Sequence, residues 1–128
     1  MNLQLSLKTK WFNLTKEGIK TEDYREITPY WFSRLFKDAS SNTNIRIGFC
    51  ESLKSETSAA SWNQKNGYFF DFKDFETNTM TLGYPKSGDK ERILKLEHKG
   101  IEIRTGNPNW GAEPNKLYFV IKHGKPQQ

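Results

Sequence analysis

The stretch Gly18-Ile19-Lys20-Thr21-Glu22-Asp23-Tyr24-Arg25-Glu26 constrains the fold more than any other part of this chain. Most of its residues are polar or charged, yet it does not read as a plain loop. Gly18 ends one element, and Thr21, Asp23 and Arg25 then alternate with Glu22, Tyr24 and Glu26. Period-two alternation sends alternate side chains to opposite faces of a strand. The predicted strand runs to about Ile27 and presents a hydroxyl, a carboxylate and a guanidinium on one face, with the Lys20 ammonium within reach. A strand with so polar a face is poor core material and reads as the floor of a polar site. Asp23 and Arg25 stand two apart, a spacing that predicts a separate partner for each on another strand. A structural ion pair and a ligand-binding role are both open for them.

The rest of the chain organises around that strand. Leu3, Leu5 and Leu7 alternate with Gln4, Ser6 and Lys8, which predicts a first strand with one buried face. Thr9 is the expected cap of a short helix over 10–17, with Trp11, Leu14 and Phe12 turned inward and Gly18 at its C-terminal stop. Thr28-Pro29 predicts a second helix, Thr28 capping and Pro29 in the first turn. Its inner stripe is Trp31 or Phe32, Leu35 and Phe36, and it ends near Asp38.

Ile45 to Cys50 alternates and predicts a strand, whereas Glu51 to Asn66 loses any pattern and reads as an exposed excursion or a weak helix. Gly67 to Phe75 is expected as a strand or hairpin arm, and Thr77 to Leu82 as a strand. Tyr84 to Lys90 is a turn, and a strand restarts at Ile93 with a bulge or bend at Gly100. Thr105 to Asn115 is a loop around Trp110, Leu117 to Lys122 is the last strand, and the tail after His123 is expected to fray. Many short strands with two early helices predict an α+β chain, a small mixed β-barrel with two N-terminal helices.

Length and composition set further bounds. A chain of 128 residues is expected to be one domain, able to remove roughly two-thirds of its unfolded surface from water. Only 34% of residues are hydrophobic but 14% are aromatic, so large rings must supply much of the core. Twenty basic residues against 15 acidic ones leave a net charge of +5, a mild preference for an anionic partner. The lone Cys50 excludes an internal disulfide and is expected to be buried and inert, and the isolated His98 and His123 offer no metal-site spacing. The expectation is therefore no cofactor and no metal. Met1 to Leu7 is too short and polar for a signal peptide, and no run approaches the ~18 apolar residues of a membrane span. A cytoplasmic chain without membrane contact is expected.

Gly18-x-Lys20-Thr21-x-Asp23-x-Arg25, directly after a short helix, resembles the signature of the ASCH domain, itself similar to the RNA-binding PUA barrels. Lys99-Gly100-Ile101-Glu102-Ile103, Thr105 to Pro114 and Tyr118 to Ile121 resemble the closing segment of the small phage and prophage ASCH proteins. The resemblance implies a single PUA-like domain that binds RNA, or a nucleoside or nucleotide, in a cleft. Its floor is expected to be Lys20, Thr21, Asp23 and Arg25, and its rim Asn107, Trp110 and Glu113. Segment 51–66 has no counterpart in the family and is expected as an insertion; a phage-encoded adaptor using it to bind a host protein is one alternative.

A second alternative is a small amidohydrolase acting on an acylated nucleoside such as acetylcytidine. The ASCH-like enzymes of that kind use a lysine, a threonine nucleophile and a glutamate. Their lysine matches Lys20, but their threonine falls on Asp23, and a carboxylate cannot serve as an alkoxide nucleophile; their glutamate has no counterpart. Catalysis here would need Lys20 as base with Thr21, or a water held by Asp23, as the attacking group. Recognition without chemistry is the expectation.

Overall fold

A computed structural model describes residues 1–55, 58–83, 85–86 and 89–127. In chain order it contains β1 (Asn2–Leu7), α1 (Thr9–Lys16), β2 (Glu22–Arg25), α2 (Pro29–Leu35), α3 (Thr43–Lys54), α4 (Ala59–Asn66), β3 (Thr77–Leu82), β4 (Ile93–Thr105), a single 3-10 turn (Pro108–Trp110) and β5 (Leu117–Pro126). The five strands form one mixed sheet in the order β1-β3-β4-β5-β2, with β1 parallel to β3 and the other neighbours antiparallel. The sheet curls into a half-barrel. Its two edges approach closely enough for Arg25 on β2 to donate from Nη2 to the Ser6 carbonyl of β1 at 3.0 Å.

Leu3, Leu5 and Leu7 all face inward, as the alternation requires, and pair in register with Asn78, Met80 and Leu82. Past the end of α1, Gly18 takes φ 79°, and the Ile19 and Lys20 N–H groups turn back to the Leu14 carbonyl. That left-handed position costs glycine little. The start of α1 departs from expectation: Lys8, not Thr9, is the cap residue, and no side chain caps the helix. At α2, the Thr28 hydroxyl accepts from Trp31 N–H at 3.3 Å, with Pro29 as the first helical residue. Phe32, Leu35 and Phe36 bury completely, but the helix stops at Leu35 because Phe36 turns extended to form a bridge with Phe72.

Ile45 to Cys50 is helical rather than a strand. Asn42 accepts from the Asn44 and Ile45 N–H groups and starts α3, and the buried positions Phe49, Cys50 and Leu53 follow a helical stripe. Phe49 stacks on Phe32 at 4.7 Å and meets Phe36 and Phe70 edge-on. Burying one such ring contributes roughly 1.5–3 kcal/mol, so this aromatic cluster outweighs the local alternation. Of the two readings of segment 51–66, the helical one holds, although no residue of its second helix is buried. Its first part completes α3, and α4 packs Trp62 on Phe49; Glu56 and Thr57 lie outside the described residues. Four helices therefore replace the two expected, among the described residues.

Gly67 to Phe75 forms no strand of the sheet; its backbone pairs with 35–37, through Lys37 N–H to Asp71 O and Lys73 N–H to Leu35 O, and at its start bonds the Asn63 carbonyl. Within the expected turn at 84–90, Tyr84, Ser87 and Gly88 lie outside the described residues. β4 shifts register between His98 and Ile101, at Gly100. β5 continues beyond His123 to Pro126, and Gln127 N–H bonds the Lys95 carbonyl, so the tail is held by β4 rather than frayed. No helix among the described residues is long and apolar enough to cross a membrane.

Candidate functional site

β2 brings Lys20, Asp23 and Arg25 together, but inside the half-barrel. Asp23 lies opposite Ile121, and Arg25 opposite Phe119, on the face that carries the main core. The Lys20 ammonium, 2% exposed, donates to Asp23 Oδ1 at 3.1 Å and to the Glu22 carbonyl at 2.7 Å. Arg25 Nε donates to Asp23 Oδ2 at 2.8 Å. Asp23 and Arg25 thus pair with each other rather than with other strands, because a long guanidinium arm folds back along its own strand face. Burial alone would push the Asp23 carboxyl up, but the Arg25 and Lys20 charges, with their hydrogen bonds, outweigh it and hold the carboxyl below the ordinary carboxylate value. Of the expected floor only Arg25 opens to a cleft. Thr21 is exposed outside the triad, its carbonyl accepting from His123 N–H.

The expected rim sits on the other face of the sheet. Tyr24 lies opposite Val120 and packs with Ala112, Tyr118 and Val120 in a small second cluster. Asn107 N–H donates to the Tyr24 hydroxyl at 2.8 Å, and Glu113 N–H to the Tyr118 hydroxyl at 2.9 Å. The Asn107 side chain caps the 3-10 turn, and Trp110 is half-buried. Gly106 lets this loop lie on Tyr24, since a β-carbon there would stand 2.6 Å from the ring. The Lys20 ammonium stands 5.5 Å from the Tyr24 ring that the loop packs on, but none of the three clefts described is lined by Asn107, Trp110 or Glu113, so floor and rim share none of them.

A second polar group lies deeper on the inner face. Asn78 Nδ2 donates to His123 Nδ1 at 2.7 Å and to the Lys122 carbonyl at 3.1 Å, and Asn78 Oδ1 accepts from His98 Nδ1 at 2.7 Å. This arrangement puts the His123 proton on Nε2, which is buried and meets no acceptor among the described residues. Burial depresses the His123 pKa to about 4. Cys50 is buried, with its thiol pushed up to about 11 by burial. No group of three His, Cys, Asp or Glu side chains close enough to hold a metal occurs among the described residues.

A cleft of about 940 Å³ lies on the outer face of β1, β3 and β4 and is walled by α2. Its floor is a double row of uncharged hydrogen-bonding side chains, Asn2, Gln4 and Ser6 on β1 beside Thr77, Thr79 and Thr81 on β3. Its wall carries Tyr30, Trp31 and Arg34, with Arg25 entering from β2 and Lys95 from β4. The Arg25 and Arg34 guanidiniums stand 4.9 and 5.6 Å from the Trp31 ring, a cation–π arrangement that aligns two positive charges along one wall. No carboxylate lines this cleft among the described residues.

Sequence reasoning assigned α2 to the core and overlooked the cleft. The available signal was the outward row of β1 and β3, where one expects scattered charges on a solvated face but finds only amides and hydroxyls. Comparison with family models, with curated proteins and with solved structures returned no match, so the site is read from its geometry.

Proposed function

We propose that this chain is a PUA-like binding domain of the ASCH type that takes nucleic acid or a nucleotide-like anion in the cleft over β1, β3 and β4. The observation that carries this reading is electrostatic. Arg34 and Lys95 face the cleft, and neither has a carboxylate partner among the described residues, although eleven ion pairs form elsewhere or at Asp23. Cations left unpaired on an acid-free wall, above a floor of amides and hydroxyls, suit phosphate on one side and sugar or base edges on the other. Binding of single-stranded RNA, single-stranded DNA and duplex, followed by fluorescence anisotropy at low salt, tests the reading. Arg34→Ala with Lys95→Ala is expected to weaken binding by about tenfold or more, and to flatten the log affinity–log salt slope by about 0.7 per lost contact on a single strand. Absence of binding to all three at low salt would sink it.

The amidohydrolase alternative draws little from the geometry. Lys20 spends its ammonium protons inside the sheet on Asp23 and the Glu22 carbonyl, which makes it a donor rather than a base. No hydrogen bond joins it to the Thr21 hydroxyl among the described residues. Pure protein incubated with acetylcytidine is expected to release no cytidine. Clear turnover would restore Thr21, or a water held by Asp23, as nucleophile and displace the recognition reading.

A further inference from the structure

We infer that the cleft's ligand is an extended, unpaired strand of several nucleotides laid across β1, β3 and β4, not a mononucleotide and not a duplex; this rests on the nucleic-acid reading above. The first ground is continuity. The central cleft shares Ile93, Lys95 and Gln127 with a second depression of about 590 Å³ that is also lined by Lys90. It shares Asn2, Gln4 and Arg34 with a third of about 340 Å³ that is also lined by Lys73. Pockets that enclose a small molecule run to about 300–1,000 Å³ and bury most of it. The central cleft alone reaches the top of that range, so a mononucleotide would leave the adjoining depressions unfilled.

The second ground is the spread of charges. Lys73 and Arg34 line the third depression, Arg34, Arg25 and Lys95 the central cleft, and Lys95 and Lys90 the second, and the one carboxylate among their described lining residues is Asp89, in the second. Cations spread over an uncharged floor track a repeating phosphate backbone, where a single nucleotide needs one cluster. The third ground is the exposed ring. Tyr30 is 61% exposed at the cleft wall, packed edge-on against Trp31, with Arg34 over its ring at 5.6 Å. Paired bases hide their faces in the stack, so only an unpaired strand can lay a base on Tyr30.

The test is a length series on the full chain, reading anisotropy or calorimetry with uridine monophosphate, tetra- and octauridylate, a paired RNA hairpin and a polyglutamate peptide. Affinity is expected to rise by about tenfold or more from monophosphate to octamer, with the salt slope growing by about 0.7 per added phosphate contact until the cleft is full. Tyr30→Ala, at an exposed position where folding is not at stake, is expected to weaken octamer binding by about five- to a hundredfold at an unchanged salt slope. If the monophosphate binds as tightly as the octamer, the strand inference falls while the nucleotide reading stands. A hairpin bound more tightly than the octamer, or an octamer indifferent to Tyr30→Ala, also overturns the inference. Polyglutamate bound with no nucleic acid bound removes both.

Discussion

Replacing Asp23 by alanine is expected to cost about 3–5 kcal/mol of stability, because it strips the partner from a buried cation. Asp23 is only 6% exposed, and its two carboxylate oxygens divide between Lys20 and Arg25. Arg25 retains the Ser6 carbonyl and some contact with solvent after the change. Lys20 retains only the Glu22 carbonyl and has no route to water. The loss is enough to lower the Tm by roughly 10–20 °C, and urea unfolding of the two proteins would measure it directly. The double variant Lys20→Met with Asp23→Leu is expected to recover much of the loss, since replacing a buried ion pair by apolar groups of similar size is often neutral. A single variant within about 1 kcal/mol of the parent would mean that Lys20 reaches solvent when Asp23 is absent, and would return the pair to the role of accessible ligand contacts. Burial also changes what Lys20→Ala reports, because the lysine supports Asp23 and thereby Arg25, the one member of the group that lines the cleft.

Acidification from neutral pH to about 4 is expected to remove about 3 kcal/mol of stability through His123 alone. Burial takes its pKa from 6.5 down to about 4. Hydrogen bonding reinforces this, since Asn78 already donates to Nδ1 and a second proton there would face another donor. Between those two values the unfolded chain binds a proton at this residue and the folded chain does not, so stability rises with pH across the window. The contribution is complete above 6.5 and gone below about 4. Four other titratable groups act on His123: Asp23, Lys20, His98 and Glu22. His98 is depressed in the same direction by its own burial and by Lys122, and adds to the same slope. The Asp23 and Glu22 carboxyls, held below their ordinary 3.8 and 4.5 by their cation partners, titrate below those values, and the Lys20 charge pushes the His123 value further down. Urea unfolding at pH 7 and pH 4, on the parent chain and on His123→Gln, separates these contributions. The variant is expected to be less stable at pH 7 and to lose far less on acidification. A slope that survives unchanged in His123→Gln would assign the window to other groups.

Much of the local structure was legible in the residues alone. Alternation of leucines placed β1, Thr28-Pro29 placed the start of α2, and Gly18 placed the end of α1, because each rests on a rule that acts within a few residues. The polarity of one face of β2 was legible for the same reason, as was the closeness of Lys20 to Asp23. Ile45 to Cys50 was not, since alternate apolar residues fit a strand and also fit the first half of a helical stripe that ends at Leu53. The choice fell to Phe32, Phe36 and Phe70, which lie far away in sequence and close the ring cluster around Phe49.

The site divides along the same line. Sequence determined which side chains could carry charge and hydrogen bonds near the N-terminus. Only the tertiary structure decided that Lys20 and Asp23 face the core, that Asn107, Trp110 and Glu113 pack around Tyr24 and Tyr118 rather than lining the cleft, and that Arg25 alone of the expected floor joins it. The reason is the strand order. β1 and β2 are the two edges of one curled sheet, so which face becomes interior depends on β3, β4 and β5 folding between them, and no spacing along β2 encodes that.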